Sequence, residues 1–141
     1  MNNLISVVVT CYNHEKYIEQ CLRSVFNQTY TNIELIVLDD GSTDSSTQII
    51  QEVLKDSPYE TRFETHENLG VVKNRNLGLE LIRGDYLLFV DSDNYLDADY
   101  VEQLYSKLTE TNADIAYCDL FNPEKEDFYL KSREFVLTAF L

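Results

Sequence analysis

Residues 85–94 of this 141-residue chain read DYLLFVDSDN, an apolar run that ends in two carboxylates. The aromatic and branched aliphatic side chains of residues 86–90 are typical of a strand. Where such a strand passes into a loop, Asp91 and Asp93 can turn toward one cation, and carboxylate oxygens are the ligands that Mg²⁺ and Mn²⁺ prefer. The same letters also fit two solvated acids at a strand end, so the pattern needs support from the rest of the chain.

The rest of the chain repeats the order of strand followed by helix. Residues 4–10 (LISVVVT) and 33–38 (IELIVL) are runs dominated by branched aliphatic side chains, as in parallel strands that are buried on both faces. The predicted strands are residues 4–10, 33–38, 61–66, 86–90 and 114–120; the predicted helices are residues 15–27, a segment after residue 44 that stops at Ser57-Pro58, residues 71–82 and residues 97–111. Four strand–helix units predict an α/β fold with a largely parallel sheet, forming one domain over residues 1–141. The more polar strand 61–66 is expected near an edge.

Three glycines are expected to have structural roles. Gly41 permits a tight turn before a helix that Ser42, Thr43 or Asp44 caps. Gly78 costs about 1 kcal/mol inside a helix, which predicts close packing at that position. Gly84 is expected to end the helix of residues 71–82 as a glycine C-cap.

Composition narrows the choice of partner. The chain has 11 Lys and Arg against 25 Asp and Glu, a net charge of −14, which disfavours nucleic acids and anionic membranes as the main partner. A nucleotide remains compatible, because a bound divalent cation can reverse the local charge. Cys11, Cys21 and Cys118 lack the spacing of a metal site and predict reduced thiols of a cytoplasmic protein, two of them half-buried. No stretch reaches the roughly 20 apolar residues of a membrane span.

Polar residues gather at the expected carboxyl ends of the strands, where α/β folds bind ligands. They are Thr10, Tyr12 and Asn13 after the first strand; Asp39, Asp40 and Asp44 after the second; Asn68, Gly70, Lys73 and Arg75 after the third; and Asp91 and Asp93 after the fourth. Together they suit a nucleoside diphosphate: Tyr12 would stack on the base while an acid accepts from a base N–H. Arg75 or Lys73 would meet phosphate, and a metal on Asp93 would bridge the diphosphate.

Other kinds of site find less support in the sequence. Glycine-rich dinucleotide and P-loop motifs are absent, as is the glycine–serine elbow of hydrolases. His14 and His66 stand isolated and are expected to be surface or capping residues. A phosphatase with Asp91 as nucleophile and Asp93 as acid is disfavoured, because Asn94 and Tyr95 follow where that class has Gly-Thr.

The motifs resemble, in order and spacing over about residues 4–120, the N-terminal part of a glycosyltransferase family 2 enzyme with the GT-A fold. The matching segments are ISVVV with YN (5–13), SVFNQTY (24–30), ELIVLDDGSTD (34–44), Gly70 with NRNLG (74–78), and GDY with DSD (84–93). The resemblance implies that Asp39 contacts uracil and that Tyr12 lies over it, with Thr10, Asn13 and Asp40 in the same nucleotide site. The chain differs from the family pattern at Thr10, where the family often has proline.

For the diphosphate, the resemblance implies that Asp91 faces the ribose or the sugar and that Arg75 lies near the phosphates or the acceptor. Asp93, together with Asp91, would bind Mn²⁺ or Mg²⁺. Asn94 is a second departure, because many relatives have another acid at this position.

The resemblance also implies the reaction, an inverting transfer from a nucleotide-diphosphate sugar, a UDP-sugar, to a glycan or lipid-linked acceptor. Its setting would be bacterial polysaccharide or cell-surface glycan synthesis, in the cytoplasm or peripheral to the inner face of the membrane. Members of the family are longer than this chain and carry their catalytic base in the C-terminal half, so we expect the acceptor half to be missing. Asp127 is the one candidate base, but it follows Asp93 too closely and fits a solvated loop better.

The alternative is a catalytically incomplete module that keeps the fold and binds a nucleotide or a partner. The apolar residues 135–141 favour it, since such a segment is expected to pack against more chain or to form a homo-oligomer.

Overall fold

The computed structural model describes residues 3–117; the predictions for Cys118, Asp127 and residues 135–141 lie outside them. The strands are β1 (Ile5–Cys11), β2 (Ile33–Asp39), β3 (Glu60–Thr65) and β4 (Tyr86–Asp91); the helices are α1 (Ile18–Phe26), α2 (Ser46–Val53), α3 (Val71–Leu81) and α4 (Tyr100–Thr111), and a 3₁₀ turn, Leu54–Asp56, follows α2. The chain up to Ala98, with all four of these strands, forms one compact unit, and α4 belongs to a second. Within residues 3–117, no helix has the length and apolar character needed to cross a membrane.

The four strands are parallel and lie in the order β3-β2-β1-β4. This confirms the predicted α/β fold and places β3 at an edge, as expected. Asp39 pairs in register with Cys11 on one side and with Thr65 on the other, and Thr10 pairs with Asp91. The carboxyl ends of the strands therefore meet along one edge of the sheet.

Both faces of the sheet are buried at its centre. Val8, Ile36 and Leu38 form a cluster on the face that α3 covers. Alternate residues of a strand point to opposite faces, so Val7 and Val37, which are also fully buried, lie on the other face. Burial on both sides explains why most side chains of β1 and β2 are apolar.

Two helices begin later than predicted, because backbone groups ahead of them are used elsewhere. The N–H groups of Tyr17 and Ile18 both donate to the carbonyl of His14, so a turn precedes α1. Ahead of α4, the carbonyl of Asp97 accepts from Gln28 Nε2 at 2.7 Å and that of Ala98 accepts from the Thr29 N–H at 2.8 Å. These bonds hold residues 97–98 outside the helix, which starts at Tyr100.

The strand predicted at residues 114–120 is wrong over the part that the structure describes. Residues 114–117 are not a strand and pair with none of the four strands among residues 3–117. Asn112, at φ 51°, ends α4 in the left-handed conformation. An apolar run cannot form a strand without a partner strand for its hydrogen bonds.

Gly84 does not cap α3, contrary to the prediction. The helix ends at Leu81, Ile82 after it is extended, and Gly84 is needed for close approach instead. A Cβ at Gly84 would lie 2.6 Å from Ser6 Oγ and 2.8 Å from the Leu4 carbonyl oxygen. Sequence position alone suggested a cap, whereas the long-range contact with β1 fixes the residue.

The close packing predicted at Gly78 is confirmed. A Cβ there would lie 2.9 Å from Val8 Cγ1 and 3.3 Å from Leu38 Cδ1, so α3 sits directly on β1 and β2. Gly41, at φ +74°, makes the predicted tight turn after β2.

We expect Gly78→Ala to destabilise the protein by about 1 to 2 kcal/mol, although alanine is the better helix former. Overpacking a tight contact costs about 1 to 3 kcal/mol, which exceeds the gain in helix propensity of about 1 kcal/mol. Chemical denaturation measures the difference, with Asn76→Ala on the exposed side of α3 as the control. A Gly78→Ala variant as stable as this control would contradict the packing.

Candidate functional site

The loops after β1 and β2 are tied together by side chains that bond to the backbone of the other loop. Asn13, at φ 53°, accepts through Oδ1 from the Thr43 N–H at 2.8 Å. Asp44 Oδ2 accepts from the Glu15 N–H at 3.0 Å, and Glu15 Oε2 accepts from the Ser45 N–H at 2.9 Å. These reciprocal bonds give the carboxyl edge of the sheet a defined shape.

The start of α2 joins the same network. The N-cap of α2 is Ser45, which makes no side-chain cap bond, so none of the three predicted capping residues takes that role. Asp44, which precedes Ser45, accepts through Oδ1 from the Ser46 N–H at 2.9 Å. Ser46 Oγ in turn accepts from the His14 N–H at 2.9 Å. The helix is thereby fixed to both loops.

Asp39 is fully buried at the end of β2. Its Oδ2 accepts from Thr47 Oγ1 at 2.7 Å and from Thr65 Oγ1 at 3.0 Å. Its Oδ1 is shielded from solvent and has no hydrogen-bond partner among residues 3–117. Leaving a buried acceptor unpaired costs about 1 to 3 kcal/mol, so a ligand N–H that reached Oδ1 would relieve this cost.

The neighbouring Asp40 has different surroundings. Its two oxygens accept from the Leu69 N–H at 2.7 Å and the Gly70 N–H at 3.0 Å, which fixes the turn that leads into α3. His66 Nδ1 lies 3.6 Å from Asp40 Oδ1, and Nε2 lies 3.1 Å from Asn74 Oδ1. His66 is therefore part of this network and not the isolated residue expected from the sequence.

Asp91 and Arg75 form an ion pair on the α3 side of the sheet. Arg75 Nη2 donates to Asp91 Oδ1 at 2.8 Å, and Thr10 Oγ1 lies 3.3 Å from the same oxygen. The Arg75 guanidinium carbon lies 5.6 Å from the centre of the Phe89 ring. Arg75 Nε is buried without a hydrogen-bond partner in the described part of the chain. A buried donor without a partner, like the acceptor on Asp39, suits a site that a ligand completes.

The D-x-D segment forms a tight turn in which the Asn94 N–H donates to the Asp91 carbonyl at 2.9 Å. Ser92, between the two acids, is fully buried, and its Oγ lies 2.6 Å from His14 Nδ1. His14 thus holds the turn from the β1 loop and is not isolated. The Asp93 carboxylate is exposed and makes no hydrogen bond or ion pair with residues 3–117.

Two buried thiols lie beneath the site. Burial raises the pKa of Cys11, although hydrogen bonds with Ser92 and Ser46 oppose the shift. Burial, with electrostatic interactions with Cys11 and Asp93, raises the pKa of Cys21 to about 12. Both stay protonated at neutral pH and are fully buried, more than the half-burial expected. They serve as packing residues rather than as nucleophiles.

Tyr12 and Lys73 are both exposed. Tyr12 is 46% exposed, so a base could stack on its ring. Of the two predicted phosphate-binding cations, Arg75 is the one held at the carboxyl edge by Asp91.

The carboxylate oxygens of the Asp91–Asn94 turn could bind a divalent cation. No three His, Cys, Asp or Glu side chains cluster as a complete metal site among residues 3–117. Mg²⁺, however, is commonly held by one or two carboxylates while substrate phosphates and water complete its shell. Asp93 has no competing partner, and Asp91 Oδ2 accepts no hydrogen bond from the described residues.

Sequence reasoning missed four residues that shape the site: Thr47, Thr65, His14 and Ser92. For Thr65 alone, strand pairing could have indicated a place beside Asp39, and this requires knowing the register of β2 and β3.

Comparison with known proteins gives concordant results. The family model described as Glycosyl transferase family 2 matches residues 6–139. The chain is 42% identical to glycosyltransferase GlyA of Streptococcus pneumoniae over 131 residues, which are 92% of this chain and 19% of GlyA.

Two solved structures are similar to this one. S. aureus TarS 1-349, crystallised in complex with UDP-GlcNAc, is 33% identical with a TM-score of 0.70 and covers 78% of this chain and 32% of its own. Mannosyltransferase PcManGT of Pyrobaculum calidifontis, in complex with GDP-Man and Mn²⁺, has a TM-score of 0.76, covers 92% of this chain and 38% of its own, and is 22% identical, so this likeness shows the fold alone. The chain spans about a fifth to two fifths of the length of these three proteins.

Proposed function

We propose that this chain, which belongs to glycosyl transferase family 2, uses the carboxyl edge of its sheet to bind the nucleoside diphosphate of a sugar donor, a UDP-sugar. The reaction would be an inverting transfer to a glycan or lipid-linked acceptor. Synthesis of a bacterial polysaccharide or surface glycan is the proposed setting.

The observation that carries the proposal is the unpaired Oδ1 of Asp39. A fully buried carboxylate oxygen without a donor fits a ligand that brings an N–H group, and the ring N–H of uracil is such a group. Because Oδ1 is shielded from solvent, the base can reach it only when the surrounding loops open locally. The 33% identity to TarS, which binds UDP-GlcNAc, favours uracil as the base.

The diphosphate fits the groups on the other side of the edge. Arg75 would leave its ion pair with Asp91 and turn its guanidinium toward a phosphate. Its buried, unpaired Nε would then gain the phosphate as an acceptor. Asp93 and Asp91 would hold Mn²⁺ or Mg²⁺, which when bound supplies positive charge against the negative charge that grows on the leaving diphosphate. Thr10, through its hydrogen bond to Asp91, and His14, through its hydrogen bond with Ser92, would keep the two acids in position.

Transfer also needs a base that takes the proton of the acceptor hydroxyl from the face opposite the leaving group. We assign no residue among 3–117 to this step. For residues 3–117 we therefore propose binding of the sugar donor only. Binding of the donor without transfer would instead support the catalytically incomplete module.

A panel of ligands tests this proposal. With Mn²⁺ present, calorimetry should give the order of affinity UDP > UMP > uridine, because each phosphate adds contacts to Arg75 and to the metal. GDP should bind more weakly than UDP. Equal affinities for UDP and uridine would contradict a diphosphate site at this edge.

A further inference from the structure

We infer that Thr47 and Thr65 determine base specificity by fixing the side chain of Asp39, so that this chain accepts uracil and rejects cytosine. Neither threonine would touch the base; both are positioning residues. The inference rests on the proposed function, because it concerns which nucleoside the same site takes.

The two carboxylate oxygens of Asp39 have different surroundings. Oδ2 accepts one hydroxyl from the first turn of α2 and a second from the end of β3, at 2.7 Å and 3.0 Å. A carboxylate oxygen accepts about two hydrogen bonds along its lone pairs, so Oδ2 is saturated. Oδ1 is left as the only oxygen of Asp39 that a ligand can use, and it has no partner in the described part of the chain.

The two hydroxyls come from separate elements that the fold brings together. Thr65 is the register neighbour of Asp39 in the parallel sheet, and Thr47 lies in the helix that follows the same strand. With donors from both elements, rotation of the carboxylate about its own axis would break two hydrogen bonds at once. The direction of Oδ1 is therefore set before any ligand arrives.

Such an oriented acceptor distinguishes pyrimidines. Uracil carries a hydrogen on N3 and can donate to Oδ1, whereas N3 of cytosine carries a lone pair that would face the carboxylate. A site built around one buried hydrogen bond rejects the analogue that cannot make it, because its polar group is then left unpaired. If the threonine hydroxyls are removed, Asp39 can turn or withdraw, and the distinction should weaken.

The test compares UDP and CDP binding in Thr47→Val, Thr65→Val and the double variant, by calorimetry at one Mn²⁺ concentration. Valine keeps the shape of threonine and replaces its hydroxyl by a methyl group, which cannot hydrogen-bond. Each single variant should lower UDP affinity about tenfold, the size of one charge-assisted hydrogen bond. CDP affinity should change little, so the ratio of UDP to CDP affinity should fall.

Thr47→Ser and Thr65→Ser keep the hydroxyl and should restore the wild-type ratio, which a purely structural role would not require. If the double variant fails to fold, Thr65→Val carries the test alone, since Thr65 lies exposed at the end of β3.

Two results would overturn the inference in distinguishable ways. A wild-type chain that binds UDP while the valine variants keep its UDP to CDP ratio would refute the role of the threonines only. A wild-type chain that binds no UDP would refute the proposed function and this inference with it.

Discussion

Glu34→Ala is expected to lower the free energy of unfolding by about 3 kcal/mol. Glu34 is a buried acid in β2, at the end of the sheet opposite the nucleotide site. Its Oε1 accepts from Ser6 Oγ at 2.5 Å and from the Arg83 N–H at 2.6 Å, and Oε2 accepts from Arg83 Nε at 2.9 Å. Alanine would leave these donors without their acceptor. Breaking a buried pair costs about 3 to 5 kcal/mol, and the lower value applies because the Arg83 side chain is 58% exposed and stays solvated.

Glu60→Ala provides a matched control, since Glu60 also pairs with Arg83 but has a side chain that is 74% exposed. An exposed pair contributes about 0 to 1 kcal/mol. Urea denaturation of both variants should separate them clearly. Equal losses of stability would contradict the role assigned to the buried network.

The same network predicts how stability depends on pH. Burial by itself would raise the pKa of Glu34, but hydrogen bonds from Ser6 and Arg83 outweigh it and lower the pKa below its ordinary 4.5. A depressed pKa in the folded state gives stability that is present above the ordinary pKa and is lost as the pH falls through the folded pKa. Wild-type stability should therefore decrease as the pH is lowered below about 4.5. The Glu34→Ala variant should lack this contribution to the pH dependence of stability.

Asp39→Asn is expected to weaken UDP binding about 100-fold. The substitution keeps the size of the side chain but removes the charge and replaces one acceptor oxygen by a donor. A hydrogen bond to a charged group contributes roughly 1.5 to 3 kcal/mol, and 100-fold in affinity corresponds to about 2.7 kcal/mol. Calorimetry with UDP measures the effect, and CDP should lose much less.

The control for this variant is Asp56→Asn, the same chemical change at a side chain that is 65% exposed and pairs with Arg23. It should bind UDP as the wild type does. If Asp39→Asn also bound UDP normally, the base would have to be recognised by another residue.

The parallel sheet could be predicted because its two central strands, β1 and β2, are buried on both faces and are therefore largely apolar. The apolar residues before Asp91 indicated a further strand, and glycine at position 78 already indicated close helix packing. The ends of elements were less predictable. The start of α4 depends on bonds from Gln28 and Thr29 to carbonyls far along the chain, which no local pattern encodes.

The candidate site shows the same division. Asp39, Asp91 and Asp93 follow strands directly, so their meeting at one edge follows from the order of the elements alone. Thr47 and Thr65 reach Asp39 only through the strand register and the placement of α2, neither of which the sequence states. Gly84 was misjudged for the same reason, because its close contact is with β1 and not with its own helix.

The central claim is that this edge of the sheet binds a nucleoside diphosphate together with a divalent cation. Its most direct test is calorimetric titration of UDP into the wild-type chain and into Asp93→Ala, each with Mn²⁺ and with a chelator. We expect the wild type to bind UDP more tightly with Mn²⁺ than with chelator, and Asp93→Ala to lose that difference. Failure of the wild type to bind UDP under either condition would contradict the claim.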